Sequence, residues 1–154
     1  MSSTITVQTP TATTLVMSRT FDAPRELVFA CHTQAEHLRN WWGRGNPLDV
    51  EIDFRVGGKW RFVEHADGQE HAFRGEIKAI DEPYGFTWTF EYEPMPGHIL
   101  TDEYTFSEEN GRTTVTSTST FDSQEDRDGM MESGMEAGAE QSYAALDTYL
   151  VKLS

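Results

Sequence analysis

Two groups of residues in the sequence have the makings of a chemical site. Glu64 and His71 flank Asp67-Gly68, and Asp102, Tyr104, Ser117 and Ser119 flank Asn110-Gly111. A carboxylate and an imidazole that meet across a hairpin can act as a general acid–base pair if they face a cavity. The alternative is a hydrogen-bonded pair wetted by solvent, because the open end of a tight turn is close to water. An aspartate with a tyrosine and two serines can orient a polar ligand, or can form an internal network with ordered water. Neither serine lies in a Gly-x-Ser-x-Gly elbow, so nothing marks Ser117 or Ser119 as a nucleophile.

Other chemistries find little support. The histidines are His32, His37, His65, His71 and His98, and none makes a His-x-x-x-His or Cys–His metal spacing. No metal and no other cofactor is expected. Gly57-Gly58 leads into a strand pattern and not a helix, so it offers no helix N-terminus to a phosphate. Cys31 falls on an apolar helix face, which predicts a buried, inert thiol. No catalytic residue can be assigned.

The candidate residues depend on hairpins for their placement. Asp-Gly and Asn-Gly between alternating segments are type I′ turn signals, which fix register. The first turn sets Glu64 opposite His71, Phe62 opposite Phe73 and Trp60 opposite Gly75. Lys59 opposite Glu76 and Arg61 opposite Arg74 then fall on the other, charged face. The second turn sets Phe106 opposite Val115, Tyr104 opposite Ser117, Asp102 opposite Ser119 and Leu100 opposite Phe121. The apolar faces must point inward and carry these polar groups with them. A carboxylate buried without partners costs several kcal/mol, so Glu64 and Asp102 need partners, water or a pocket. An apolar cavity with a few polar groups is the usual form of a small-molecule site. Trp60, Phe62, Phe73, Trp88 and Phe90 would line it or simply pack, and Trp41 would stand at its mouth or in the core. Met131 and Met135 would contribute adaptable contacts or plain packing.

Strand patterns begin at Leu15 and recur to Phe121. A helix is predicted from Pro24 to about Cys31, and a capping box at Thr33 and Glu36 starts a second, short one. From Ser123 onward the apolar period becomes helical, through Met131, Met135, Ala139, Ser142, Leu146, Leu150 and Leu153. One helix from about Gln124 to Lys152 would be roughly 40 Å long. Gly129, Gly134 and Gly138 weaken its first half and invite a kink. Residues 1–13 read as a loosely held tail and 14–153 as one domain.

Composition narrows the partners. The 154 residues carry 12 Lys+Arg against 26 Asp+Glu, a formal charge of −14. Such a surface repels nucleic acid and anionic membranes. No apolar run reaches the ~20 residues needed to span a bilayer, and the first residues do not form a signal peptide. A single cysteine rules out an intrachain disulfide and suits a cytoplasmic location.

Phe21-Asp22-Ala23-Pro24-Arg25-Glu26-Leu27-Val28-Phe29, His37 to Gly43, Gly57 to Phe62 and the ending Gly134 to Leu150 resemble the START-like SRPBCC superfamily. The branch they resemble is named after the activator of heat-shock-protein-90 ATPase. The resemblance covers roughly residues 14–153. It implies an α+β helix-grip fold, with a curved antiparallel sheet of six or seven strands around a long C-terminal helix and an internal cavity. The inward polar residues among aromatics point to binding of a small hydrophobic or amphipathic molecule in that cavity. Cyclase or hydrolase chemistry in the same cavity is an alternative, and a cochaperone-like interaction domain is another. A homodimer through a strand edge is compatible with the sequence.

Overall fold

The computed structural model describes residues 5–153. Eight strands form one antiparallel sheet: β1 (Thr6–Gln8), β2 (Thr14–Phe21), β3 (Leu48–Ile52), β4 (Lys59–Ala66), β5 (Gln69–Asp81), β6 (Gly85–Tyr92), β7 (Leu100–Glu109) and β8 (Arg112–Thr120). Their spatial order is β1-β2-β8-β7-β6-β5-β4-β3. Between β2 and β3 come α1 (Arg25–Thr33) and α2 (Ala35–Leu38), and after β8 come α3 (Gln124–Glu132) and α4 (Met135–Leu153). This is the α+β helix-grip arrangement.

Both hairpins have the expected register, with Glu64 opposite His71 and Asp102 opposite Ser119. The turn residues take the left-handed conformation that a type I′ turn requires, with φ of 54° and 75° at Asp67-Gly68 and 55° and 75° at Asn110-Gly111. On the outer face the Arg61–Arg74 juxtaposition is neutralised by acidic neighbours. Arg61 pairs with Glu93 at 2.6 Å and Arg74 with Glu91 at 2.8 Å. The inner face packs aromatic side chains, among them the stacked Trp60 and Trp88, whose ring centroids are 4.4 Å apart.

Four expectations need correction. Residues 5–13 are not a loose tail, because Thr6–Gln8 pairs with β2 through Thr6–Ser18, Val7–Met17 and Gln8–Val16. The β-branched Thr6 and Val7 suit an edge strand; Met1–Thr4 lie outside the described residues. Thr33 caps nothing. Its hydroxyl donates to the Phe29 carbonyl at 3.1 Å within α1, and Gln34 becomes the N-cap of α2. Leu100 and Phe121 do not pair, since the ladder ends at Thr101–Thr120. The C-terminal helix is two helices, separated at Gly134 with φ of 87°. Ser123 does cap α3, accepting from the Asp126 amide at 3.1 Å. Among the described residues no helix is long and apolar enough to cross a membrane.

Candidate ligand-binding site

Four adjacent strands bring the polar inner-face residues into two cross-sheet rows. One row runs Leu15, Ser119, Asp102, Trp88, and the next runs Met17, Ser117, Tyr104, Phe86. The side-chain period of two puts both rows on the same face.

In the first row Ser119 donates to Asp102 Oδ1 at 2.5 Å and the Trp88 indole N–H to Oδ2 at 3.2 Å. Asp102 is buried. Burial pushes its carboxyl up to about 6, although the two hydrogen bonds favour the charged form. In the second row Tyr104 lies deep in the protein, and burial, with the Asp102 charge adding to it, raises its phenol well above the usual range. Tyr104 nevertheless keeps accessible surface and is only half-buried. Tyr143 of α4 is raised for the same two reasons, with Arg19 opposing. Both tyrosines therefore stay neutral and can donate.

Among the described residues, the side-chain atoms both enclosed and without a hydrogen-bond partner are Arg19 Nε, Arg25 Nε and His32 Nε2. The hydroxyls of Tyr104, Tyr143 and Ser117 have no hydrogen bond to any described residue and are not enclosed in this way. Each thus borders accessible space while its residue lies in the interior.

Glu64 and His71 are cross-strand neighbours but do not act as a pair. Glu64 Oε2 accepts from Arg44 Nε at 2.9 Å and from Asn46 Nδ2 at 2.8 Å, while His71 Nδ1 meets the Tyr92 hydroxyl at 2.9 Å. The cause is the left-handed stretch Gly43-Arg44-Gly45, with φ of 80°, 62° and 78°. It folds the Arg44 guanidinium over β4.

The remaining expected residues divide. Trp41 is buried, donates to the Cys31 carbonyl at 2.8 Å and stacks on Tyr143. Trp60, Phe62 and Trp88 are buried in the core, and Phe73 and Phe90 are half-buried against it. Met135 packs beside Leu15, Leu100 and Phe121. Met131 is 39% exposed and is not among the residues packed against the core. Burial pushes the Cys31 thiol up to about 12, so it is inert. No group of three or more metal-ligating side chains occurs among the described residues.

Three interior residues are not among the candidates read from the sequence. Arg19 forms a bidentate ion pair with Asp147, at 3.0 and 2.5 Å. It shares the phase of Leu15, Met17 and Phe21, so a lone cation on an apolar strand face was the available signal. His32 follows Val28 by one helical turn and bonds its carbonyl at 2.8 Å through Nδ1. Burial lowers its pKa to about 4, so the ring is neutral. Tyr143 lies one turn before Leu146 and two before Leu150, the other buried residues of α4. The helical stripe traced through Ser142 passed beside it.

An open groove of about 520 Å³ lies apart from these rows, between α1 and the β5–β6 turn. Phe29, Phe54 and Pro83 line it together with Glu26 and Glu82, and none of the candidate ligand-binding residues lines it.

A solved structure from Rhodobacter sphaeroides is similar at a TM-score of 0.88 and 24% identity, over 96% of this chain and 99% of that one. Another from Mycobacterium smegmatis has a TM-score of 0.86 and 29% identity, over 97% and 99%. A protein described as an HSP90 activator from Plasmodium falciparum is similar at a TM-score of 0.57 and 22% identity, over 70% of this chain and 72% of that one, a likeness of fold. No curated protein matches the sequence. The family described as Activator of Hsp90 ATPase homolog 1-like protein matches residues 22–151, and the chain belongs to that family.

Proposed function

We propose that this protein binds a small apolar or amphipathic molecule in the space between the curved sheet and α4. The observation that carries this reading is the trio of hydroxyls on Tyr104, Tyr143 and Ser117, which belong to inward-facing residues and have no partner among the described residues. Because these hydroxyls border accessible space, their hydrogen bonds are left to a ligand or to water. The aromatic inner face supplies the apolar contacts such a molecule needs. We also infer a cytoplasmic location, which suits a chain whose one cysteine is a buried free thiol. Native mass spectrometry of the purified protein, followed by denaturing extraction, tests the function. A stoichiometric apolar or amphipathic molecule is expected. A clean apo mass, together with no thermal shift from a panel of amphiphilic alcohols, acids, amines and aromatics, would overturn it.

An enzymatic reading in the same space is favoured by one observation. Burial brings Asp102 to about 6, within range of proton transfer near neutral pH. Turnover would then depend on Asp102 and vanish in Asp102→Asn, whereas a binding protein would retain ligand without chemical change.

A further inference from the structure

The charges and hydroxyls of the interior constrain the ligand's polar end, if the binding function proposed above holds. Arg19 is the cation on the inner face of β2, and both of its terminal nitrogens are committed to Asp147. Its Nε is enclosed and out of reach. His32 adds no cation, because its Nδ1 hydrogen is spent on a carbonyl and Nε2 is a bare, enclosed acceptor. Asp102 is left as an interior carboxylate whose two hydrogen bonds come from neutral donors, Ser119 and Trp88. A second carboxylate brought beside it meets a like charge and, among the described residues, no free cation, which disfavours it strongly away from water.

The open valences point the same way. Tyr104, Tyr143 and Ser117 each present a hydroxyl, which both donates and accepts. A ligand carboxylate can only accept, and an ammonium can only donate. A ligand hydroxyl can accept from a tyrosine and donate to Ser117 or to Asp102. We infer that the buried polar end of the ligand is a hydrogen-bond donor, a hydroxyl or an ammonium, and not a carboxylate.

Three probes with the same apolar chain test this: dodecanol, dodecanoate and dodecylammonium, titrated into the full chain at about pH 8 with tryptophan fluorescence and calorimetry. Dodecanol and dodecylammonium are each expected to bind at least ~10-fold tighter than dodecanoate, the value of one or two hydrogen bonds and an avoided like charge. Tyr104→Phe with Ser117→Ala should weaken dodecanol by about 10-fold and leave dodecanoate nearly unchanged. Asp102→Asn, which can still accept from Ser119, should narrow the gap by strengthening dodecanoate. Circular dichroism of each variant checks that it is folded, and the probe comparison on the unaltered protein does not depend on any variant. Binding of dodecanoate as tight as, or tighter than, that of the other two probes overturns this inference and leaves the binding function standing. Binding of none of the three counts against the binding function itself, and this inference falls with it.

Discussion

The buried carboxylate of Glu64 lies 2.9 Å from Arg44 Nε, twenty residues earlier in the chain, and not against His71 opposite it. The pair is a clasp. The Arg44 amide also donates to Ser142 of α4 at 2.8 Å, and a Cβ on Gly138 would be 3.6 Å from Arg44 Cδ. Through Arg44, Glu64 thus ties β4 to the long helix.

A structural clasp predicts a loss of stability without a loss of chemistry. Glu64→Ala should cost about 2 kcal/mol, since two hydrogen bonds to a charged group disappear. The Arg44 side chain is 38% exposed, so it can rehydrate, and the larger penalty of a stranded buried ion does not apply. Glu64→Gln keeps an acceptor and should cost about half as much. Urea unfolding measures both. Ligand affinity, once a ligand is in hand, should be unchanged in Glu64→Gln; a ten-fold drop would return Glu64 to the binding site.

Asp102 and His32 make opposite contributions to the dependence of stability on pH. The folded Asp102 carboxyl is pushed up to about 6 from the usual 3.8. Between those values the folded state holds a proton that the unfolded chain has lost. This contribution favours folding at low pH and is lost as pH rises to about 6, at a cost of up to about 3 kcal/mol. His32 is lowered to about 4 from 6.5. Between those values the unfolded chain holds the extra proton, so this contribution grows as pH rises and is complete above 6.5. The two nearly cancel in the intact protein. Asp102→Asn should therefore be most favourable to Tm above pH 6, relative to the parent, and lose that advantage towards pH 4. His32→Gln should do the reverse, improving relative to the parent as pH falls from 6.5 to 4. Thermal melts across that range decide, and level difference curves for both variants would refute the opposition.

Much of this was legible from the sequence because turn chemistry dictates register. Asp67-Gly68 and Asn110-Gly111 can each adopt the doubly left-handed turn, and a period of two then carries Asp102, Tyr104, Ser117 and Ser119 to one face. The partners of Glu64 were not legible, because the stretch Gly43-Arg44-Gly45 combines three left-handed residues that no periodicity announces. Arg19 and His32 were hidden for a different reason. Their contacts run to Asp147 and to a ring of Trp41, Tyr104, Phe106 and Tyr143, and such separations in sequence become neighbours only once the helices are docked.

The division of the C-terminal helix rests on one backbone angle. Gly134 has φ of 87°, and a Cβ there meets nothing within 4 Å. Gly134→Ala should cost about 1 kcal/mol from backbone strain alone. Gly129 lies within α3, has equally open surroundings and carries no positive φ. Gly129→Ala should instead stabilise by about 0.5–1 kcal/mol, through the entropy of the unfolded chain. Chemical denaturation of the two variants side by side isolates the effect of φ, and equal signs would show that the break is not set there.

Gly75 and Trp60 make a tighter lock. They are register partners, and the absence of a side chain at Gly75 lets the Trp60 indole N–H cross the sheet to donate to the Thr89 carbonyl at 3.1 Å. The Thr89 hydroxyl in turn accepts from the Glu76 amide at 2.9 Å. A Cβ at Gly75 would be 1.8 Å from the Thr89 carbonyl oxygen and 2.5 Å from Trp60 Nε1. Gly75→Ala must therefore separate β5 from β6 and displace the indole, a change expected to exceed about 4 kcal/mol. Trp60→Phe alone loses one buried hydrogen bond and some volume, about 1–3 kcal/mol. The double variant discriminates between the two clashes. Because the nearer contact is with backbone, Trp60→Phe should not rescue Gly75→Ala, and the yield of soluble folded protein should stay low. Recovery to the level of Trp60→Phe would mean that the indole, and not the strand spacing, sets the requirement for glycine.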